Sequence, residues 1–443
     1  MISVRGRFLK LLFGPVITLM VGVLSGPLIS RLFTPEEFGR YSALLALVGI
    51  GVVVVTLRFD QLIPTSKDPA CSFWIAVAGA VVGSTVLGFG VSPFIAANEL
   101  LFVVLATVSV AIFNAFYYLR VNADQPFKAS AGKAIQATGV LGGQAAFGGV
   151  GWGSAGLLWG ELCGRLASLL FLFQKVEQRR LPQLKVEFRE QWPAAKWMMP
   201  GALMGAIALQ LLPLGMAFSV GAAAAGVFLL LYRMIVIPNS LLSKVASDTL
   251  LIELSRLARS DKPMSDAVEK SLGKLFLTAV CLYGSLAIYG GWIFSVLLGE
   301  KWSASVELIP WLALLVGFWS LASPLSMVFV STKRTRFSFW LSCLDIVNRC
   351  VALVFGFLFQ DVLVAAIALA CGGVVVYGVT VASALRLAKG SLIRVLHSVC
   401  LSAGAGVSLL VFGWALFAHG AWLASLFASA IAFCVCGKKV LYG

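Results

Sequence analysis

Fourteen apolar stretches follow one another along these 443 residues, and nearly all the Lys and Arg residues fall in alternate gaps between them. Crossing the hydrocarbon of a bilayer takes about 20 mostly apolar residues. The stretches 11–30, 41–57, 72–92, 100–119, 133–150, 154–173, 197–218, 222–243, 274–298, 305–330, 337–358, 362–384, 395–416 and 421–437 supply such runs. Hydrophobic residues make up 60% of the chain and charged ones only 12%. A soluble domain cannot hide that much apolar surface, whereas lipid accepts it. The sequence therefore predicts an all-α polytopic membrane protein with about 14 transmembrane helices. No gap between segments leaves room for a separate globular domain.

Loop charge tests this division. With the N-terminus placed inside, all but six of the 34 basic residues fall in inside regions. Arg31, Arg40 and Lys301 lie in outside loops, and Arg165, Arg233 and Arg349 lie within segments. A wrong segment count would scramble this alternation, so both termini are expected to be cytoplasmic. The net charge of +15 thus belongs to loops flanking apolar helices, and a nucleic-acid partner is not expected. Arg5, Arg7 and Lys10 resemble the start of a signal peptide, but the apolar run continues to about Ile29 and reads as a retained first helix. None of the nine cysteines forms a CxxC pair, and the two histidines, His397 and His419, are far apart in the chain. No metal site and no cofactor are expected.

Two inside stretches are long. Gln174–Lys196 is charge-rich, contains Pro182 and Pro193, and separates the first six segments from the next six. Lys244–Lys274 carries Leu250, Leu251, Leu254 and Leu257 at helical spacing among charges, which predicts an amphipathic helix on the inner membrane surface. The chain divides into a six-helix lobe at 1–173, a cytoplasmic linker at 174–196, a second six-helix lobe at 197–385 and two further helices in 386–443. Both blocks of six start on the same side, so any repeat is parallel. Phe38-Gly39-Arg40-Tyr41 opens segment two much as Ala225-Gly226-Val227-Phe228 opens segment eight. Segment five is the least helical by propensity, with Gly139, Gly142, Gly143, Gly148 and Gly149.

Function must be read from polar groups inside the bilayer, where a central charge costs roughly 2.5–3.5 kcal/mol on insertion scales. Arg233 lies midway along segment eight with no acid within one helical turn. It is either a cavity group for an anionic substrate or a tie to an acid elsewhere. Arginine suits phosphate because its planar fork makes two parallel hydrogen bonds. Asp345 and Arg349 are four apart in segment eleven, with Asn348 beside them. They form either a self-neutralised pair or a polar cavity face. Glu161 and Arg165 repeat the spacing in segment six, where Gly160 and Gly164 favour close helix contact. Glu161 and Asp345 are the candidate coupling acids. Arg58 and Asp60 read as interfacial anchors or cavity groups, and Asn114, Gln144 and Gln210 as cavity-lining or helix-bridging groups. Across the three intramembrane sites, three arginines face two acids, whereas a cation pathway would show surplus acid.

The stretch Ser30-Arg31-Leu32-Phe33-Thr34-Pro35-Glu36-Glu37-Phe38-Gly39-Arg40-Tyr41, followed by Leu57-Arg58-Phe59-Asp60, resembles the polysaccharide transporter branch of the multidrug/oligosaccharidyl-lipid/polysaccharide exporter superfamily. Gly226, Tyr232-Arg233 and Pro238 form a second match. Where the family more often has Glu, this chain has Asp60. The resemblance covers about residues 10–385 and implies two six-helix lobes around a central cavity opening alternately to each side. It implies a non-enzymatic flippase of the bacterial cytoplasmic (inner) membrane. Its substrate would be an undecaprenyl-diphosphate-linked oligosaccharide, a repeat unit of O-antigen, capsule or exopolysaccharide. Polyprenyl diphosphate-linked glycan and membrane lipid are the implied partners, with a polysaccharide polymerase or chain-length regulator as further candidates. In this reading Arg233 meets the diphosphate, and Arg349, Asn348, Arg58, Arg165, Asn114 and Gln210 complete the cavity.

Two rivals predict different residues. A cation-coupled multidrug or small-molecule exporter needs acids free to bind Na⁺ or H⁺, and Glu161 and Asp345 each have an arginine four residues on. A membrane polymerase or ligase needs reactive groups in large outer loops. Here the outer loops Gly148–Ser154, Ser219–Ala222 and Gly299–Ser305 are short and carry no paired carboxylates or Ser/His constellation.

Overall fold

The computed structural model describes residues 4–260, 262–332 and 334–395, and every regular element among them is helical. In chain order these are α1 Val4–Leu32, α2 Pro35–Thr56, α3 Phe59–Leu62, α4 Pro69–Val91, α5 Ala97–Asn122, α6 Pro126–Gly149, α7 Ser154–Leu172, α8 Leu181–Val220, α9 Ala222–Arg259, α10 Ser265–Ala279, α11 Ser285–Leu298, α12 Ile309–Leu325, α13 Met327–Ser331, α14 Thr335–Phe359 and α15 Val362–Leu387. Each of the first twelve expected segments coincides with a helix, and eleven spans among the described residues are long and apolar enough to cross a membrane. The twelfth, α6, is helical throughout, and its glycines and alanines leave it less apolar than the others. The expected helices beyond residue 395 lie outside the described residues. Packing divides the chain into two units, Met1–Leu229 and Leu230–Gly443.

In the first unit, the turn between α1 and α2 is fixed by local chemistry. The Thr34 hydroxyl accepts from the Glu37 amide at 3.3 Å while the Glu37 carboxylate accepts from the Thr34 amide at 2.8 Å, with Pro35 in the first turn of the helix. This capping box satisfies two orphan donors and starts the helix where the Thr-Pro-Glu run stands. One turn later the missing side chain of Gly39 matters. A Cβ there would sit 1.8 Å from the Ala222 carbonyl oxygen, and one on Gly226 would sit 1.8 Å from the Pro35 carbonyl oxygen. The starts of α2 and α9 therefore cross backbone to backbone.

Lipid gives apolar helices no hydrophobic reason to associate, so close approach of small residues carries much of the packing. Gly139 and Gly143 of α6 face Gly164 and Gly160 of α7, and a Cβ on Gly164 would lie 2.2 Å from the Val140 nitrogen. The glycines that weaken α6 as an isolated helix thus build its interface. Gly14 of α1 donates its amide to the Ser130 hydroxyl of α6 at 2.7 Å.

Two helices run well past their expected segments. α8 is 40 residues long and carries its apolar part and the charged residues before it as one helix through Pro193, Pro200 and Pro213. α9 continues without a break past Pro238 into the stretch expected to form a separate surface helix, and its Leu250 and Leu254 are buried against protein. Leu251 and Leu257 of the same stripe are half-buried. In the second unit, α10 and α11 join through a π-helical turn, Val280–Gly284, into a single span. Asp361 starts α15 by accepting from the Leu363 amide at 2.8 Å.

Candidate functional site

α2, α6 and α7 bring four polar side chains to one buried point. The Tyr41 hydroxyl donates to Glu161 at 2.6 Å, and the other oxygen of that carboxylate meets the Arg165 guanidinium at 2.5 Å. The Gln144 amide donates to the Tyr41 oxygen at 3.0 Å and to the Leu157 carbonyl at 3.4 Å. All four side chains are buried. The spacing of four puts Glu161 and Arg165 on one helix face. The close α6–α7 packing, set by glycine, brings Gln144 within reach.

The second unit repeats this chemistry on other helices. Asp345 of α14 accepts from the Arg349 Nε at 2.9 Å, and the Tyr377 hydroxyl of α15 donates to its second oxygen at 2.9 Å. The Tyr232 hydroxyl of α9 also lies beside the Arg349 guanidinium. Asn348 donates to the Leu369 carbonyl at 3.2 Å, and its carboxamide oxygen occupies the space a side chain on Gly372 would need. In each unit, then, an acid, an arginine four residues on and a tyrosine from a neighbouring helix meet and neutralise one another, with the buried Arg165 Nε left without a hydrogen bond among the described residues.

Arg233 differs. It is exposed within the span of α9, and among the described residues it makes no ion pair and no hydrogen bond. A guanidinium in that state needs water or an anion at hand. Asn114 of α5 and Gln210 of α8 are half-buried, and no hydrogen bond engages either among the described residues. Gln210 packs on Gly49 of α2.

At the end of α2 the chain turns through two left-handed residues, Leu57 (φ 46°) and Arg58 (φ 63°), into the short α3. Asp60 is 1% exposed, and among the described residues neither carboxylate oxygen accepts a well-formed hydrogen bond, although the Thr56 hydroxyl and the Gln61 amide lie close. Burial pushes its carboxyl above the ordinary carboxylate range, against the pull of Arg58. Nearby, the buried Glu187 of α8 accepts from the Ser66 hydroxyl at 2.6 Å, the Ser72 hydroxyl at 3.2 Å and the Gln191 amide at 3.1 Å.

Of the residues singled out from sequence, the structure joins Glu161 with Arg165 and Asp345 with Arg349, and it places Asn348 in a helix–helix contact. Arg233, Asn114, Gln210 and Arg58 stand outside both networks. Gln144 bridges helices. Tyr41, Tyr232 and Tyr377 complete the networks and were not singled out as site residues, because nothing in their local sequence marks the acid or arginine they meet.

No curated protein matches the sequence. Among solved structures, the fold matches that of the "Lipid II flippase MurJ, inward closed conformation", with a TM-score of 0.70 at 12% identity over 97% of this chain and 98% of that one. A structure described as "MATE in complex with MaD5" matches with a TM-score of 0.50 at 11% identity over 87% of this chain and 96% of that one. The polysaccharide biosynthesis protein profile matches residues 28–307. This multi-pass membrane protein, with the fold shared by those transporters, belongs to the polysaccharide biosynthesis protein family.

Proposed function

We propose that this protein is a flippase that moves an undecaprenyl-diphosphate-linked oligosaccharide, a repeat unit of O-antigen, capsule or exopolysaccharide, across the bacterial cytoplasmic membrane by alternating access. Arg233 carries the reading: an exposed guanidinium with no counter-charge among the described residues, inside a membrane-crossing stretch. A diphosphate headgroup supplies the anion such a group lacks, and the arginine fork matches phosphate oxygens in pairs. Membership of a polysaccharide biosynthesis family and a fold like that of a lipid II flippase support a lipid-linked glycan as cargo. Asn114, Gln210 and Arg58 are proposed as further polar contacts for the headgroup and sugars. Glu161 and Asp345 are disfavoured as coupling acids because each is already held by an arginine and a tyrosine, and the cationic Arg233 suits anionic cargo better than the drug cation of an exporter.

The test is translocation of a fluorescent undecaprenyl-diphosphate oligosaccharide in proteoliposomes. Arg233→Ala is expected to insert and fold normally but to lose translocation, and Arg233→Lys to keep part of it. Equal translocation by Arg233→Ala and the unaltered protein removes the assignment.

A further inference from the structure

Asp60 is a buried acid that stands outside both networks. It sits on the four-residue α3 between Phe59 and the Leu62–Ile63 pair, which belong to an apolar cluster with Phe73, Phe113 and Phe116. An ionised carboxylate so poorly hydrogen-bonded is disfavoured in such surroundings. The Thr56 hydroxyl is close but donates to the Val52 carbonyl at 2.9 Å. The Arg58 Nε is buried and likewise has no hydrogen-bond partner among the described residues. An acid and a cation that would satisfy each other are therefore held two residues apart without closing an ion pair.

The backbone leading into α3 is under strain. Leu57 and Arg58 both occupy the left-handed region, which disfavours a residue with a Cβ. A change of this turn to ordinary φ would relieve that strain and re-aim the Arg58 side chain. The other titratable groups around α3 do not complete Asp60. Tyr118 of α5 faces it, but its hydroxyl accepts from the Gln61 amide at 3.2 Å. Glu187 of α8 is bound by Ser66, Ser72 and Gln191. Cys71 of α4 donates to Asp68, which Arg179 pairs at 3.0 Å, and Lys67 pairs with Glu190 at 3.0 Å.

We propose that Asp60 is a proton-binding site. It holds a proton in the arrangement seen here. It releases that proton to water when the Leu57–Arg58 turn rearranges and brings the Arg58 guanidinium onto the carboxylate. One O–H bond breaks, and the carboxylate left behind forms the ion pair now missing. The site stands on this geometry alone, while its use to drive transport rests on the flippase reading.

Infrared difference spectroscopy of the full-length protein in lipid, without substrate, reads the first claim. The expected result is a protonated-carboxyl band that titrates above the range of exposed acids and is lost in Asp60→Asn. Arg58→Gln should shift the midpoint of that band upward, and Asp60→Glu should keep a band. The same band in Asp60→Asn, or a midpoint unmoved by Arg58→Gln, overturns the proposal. A pH gradient across proteoliposomes reads the second claim: acceleration of lipid translocation by the gradient should vanish in Asp60→Asn. Gradient-driven acceleration that survives in Asp60→Asn overturns the coupling role. Failure of the unaltered protein to move the lipid at all counts against the flippase reading, and the infrared result still decides the proton site.

Discussion

Removing Glu161 and Arg165 together should harm the protein less than removing either alone. Both side chains are buried, and the carboxylate is held at 2.5 Å from Arg165 and 2.6 Å from the Tyr41 hydroxyl. Glu161→Ala leaves a desolvated guanidinium with no counter-charge, a change that costs about 3–5 kcal/mol where buried pairs have been broken. Arg165→Ala leaves a desolvated carboxylate with Tyr41 as its remaining donor, and the cost is of the same order. The double variant leaves no buried charge. Its main loss is the acceptor for the Tyr41 hydroxyl, worth about 1–3 kcal/mol. The Gln144–Tyr41 bond at 3.0 Å survives. The two single costs should therefore overshoot the double cost by several kcal/mol, far beyond the few tenths expected of independent sites. Unfolding of the purified variants in lipid nanodiscs measures this, and translocation is assayed on the same samples. Single costs that add up in the double variant would refute the neutralised-pair account. A double variant that is stable yet inactive would return Glu161 to the list of coupling acids.

Two further outcomes follow from particular contacts. Gly39→Ala and Gly226→Ala each force α2 and α9 apart at backbone atoms, an overpacking that costs about 1–3 kcal/mol. Because one separation relieves both clashes, the double variant should be little less stable than the worse single one, as thermal unfolding in detergent will show. Asp60 provides a pH dependence with a definite sign. Its folded-state carboxyl titrates above the ordinary value of 3.8, so the stability tied to its neutral form is full below 3.8 and is lost as pH rises through the raised value. Asp60→Asn should thus melt higher than the unaltered protein at neutral pH, with the difference closing on acidification. A constant difference across that range would contradict the burial account.

The apolar segments were legible because a bilayer dictates their length, and the Thr34-Pro35-Glu36-Glu37 run was legible as a helix start because capping is local. The resemblance between the openings of segments two and eight has a meaning that sequence could not supply. Gly39 and Gly226 lie where those two helix starts cross. What stayed hidden depends on partners remote in the chain. Tyr41 meets an acid 120 residues away, and Tyr377 one 32 residues away. The burial of Asp60 was invisible because Arg-Phe-Asp at a segment end reads as an ordinary interfacial anchor. The Leu57–Arg58 turn contains neither glycine nor asparagine to announce it. The charges after Pro238 suggested a separate surface helix, whereas burial of Leu250 and Leu254 keeps that stretch within α9.

At 1.5 Å per residue, the 40 residues of α8 extend about 60 Å, against roughly 30 Å of hydrocarbon. A good part of it must extend beyond the hydrocarbon as continuous helix, and a continuous helix conveys angle as well as distance. Inserting one residue between Gln191 and Trp197 would twist Glu187 about 100° away from Ser66 and Ser72, and inserting seven would restore the angle to within about 20° while carrying the carboxylate about 10 Å along the axis. Phase and length of this helix together fix how its charged end seats against the turn that holds Asp60.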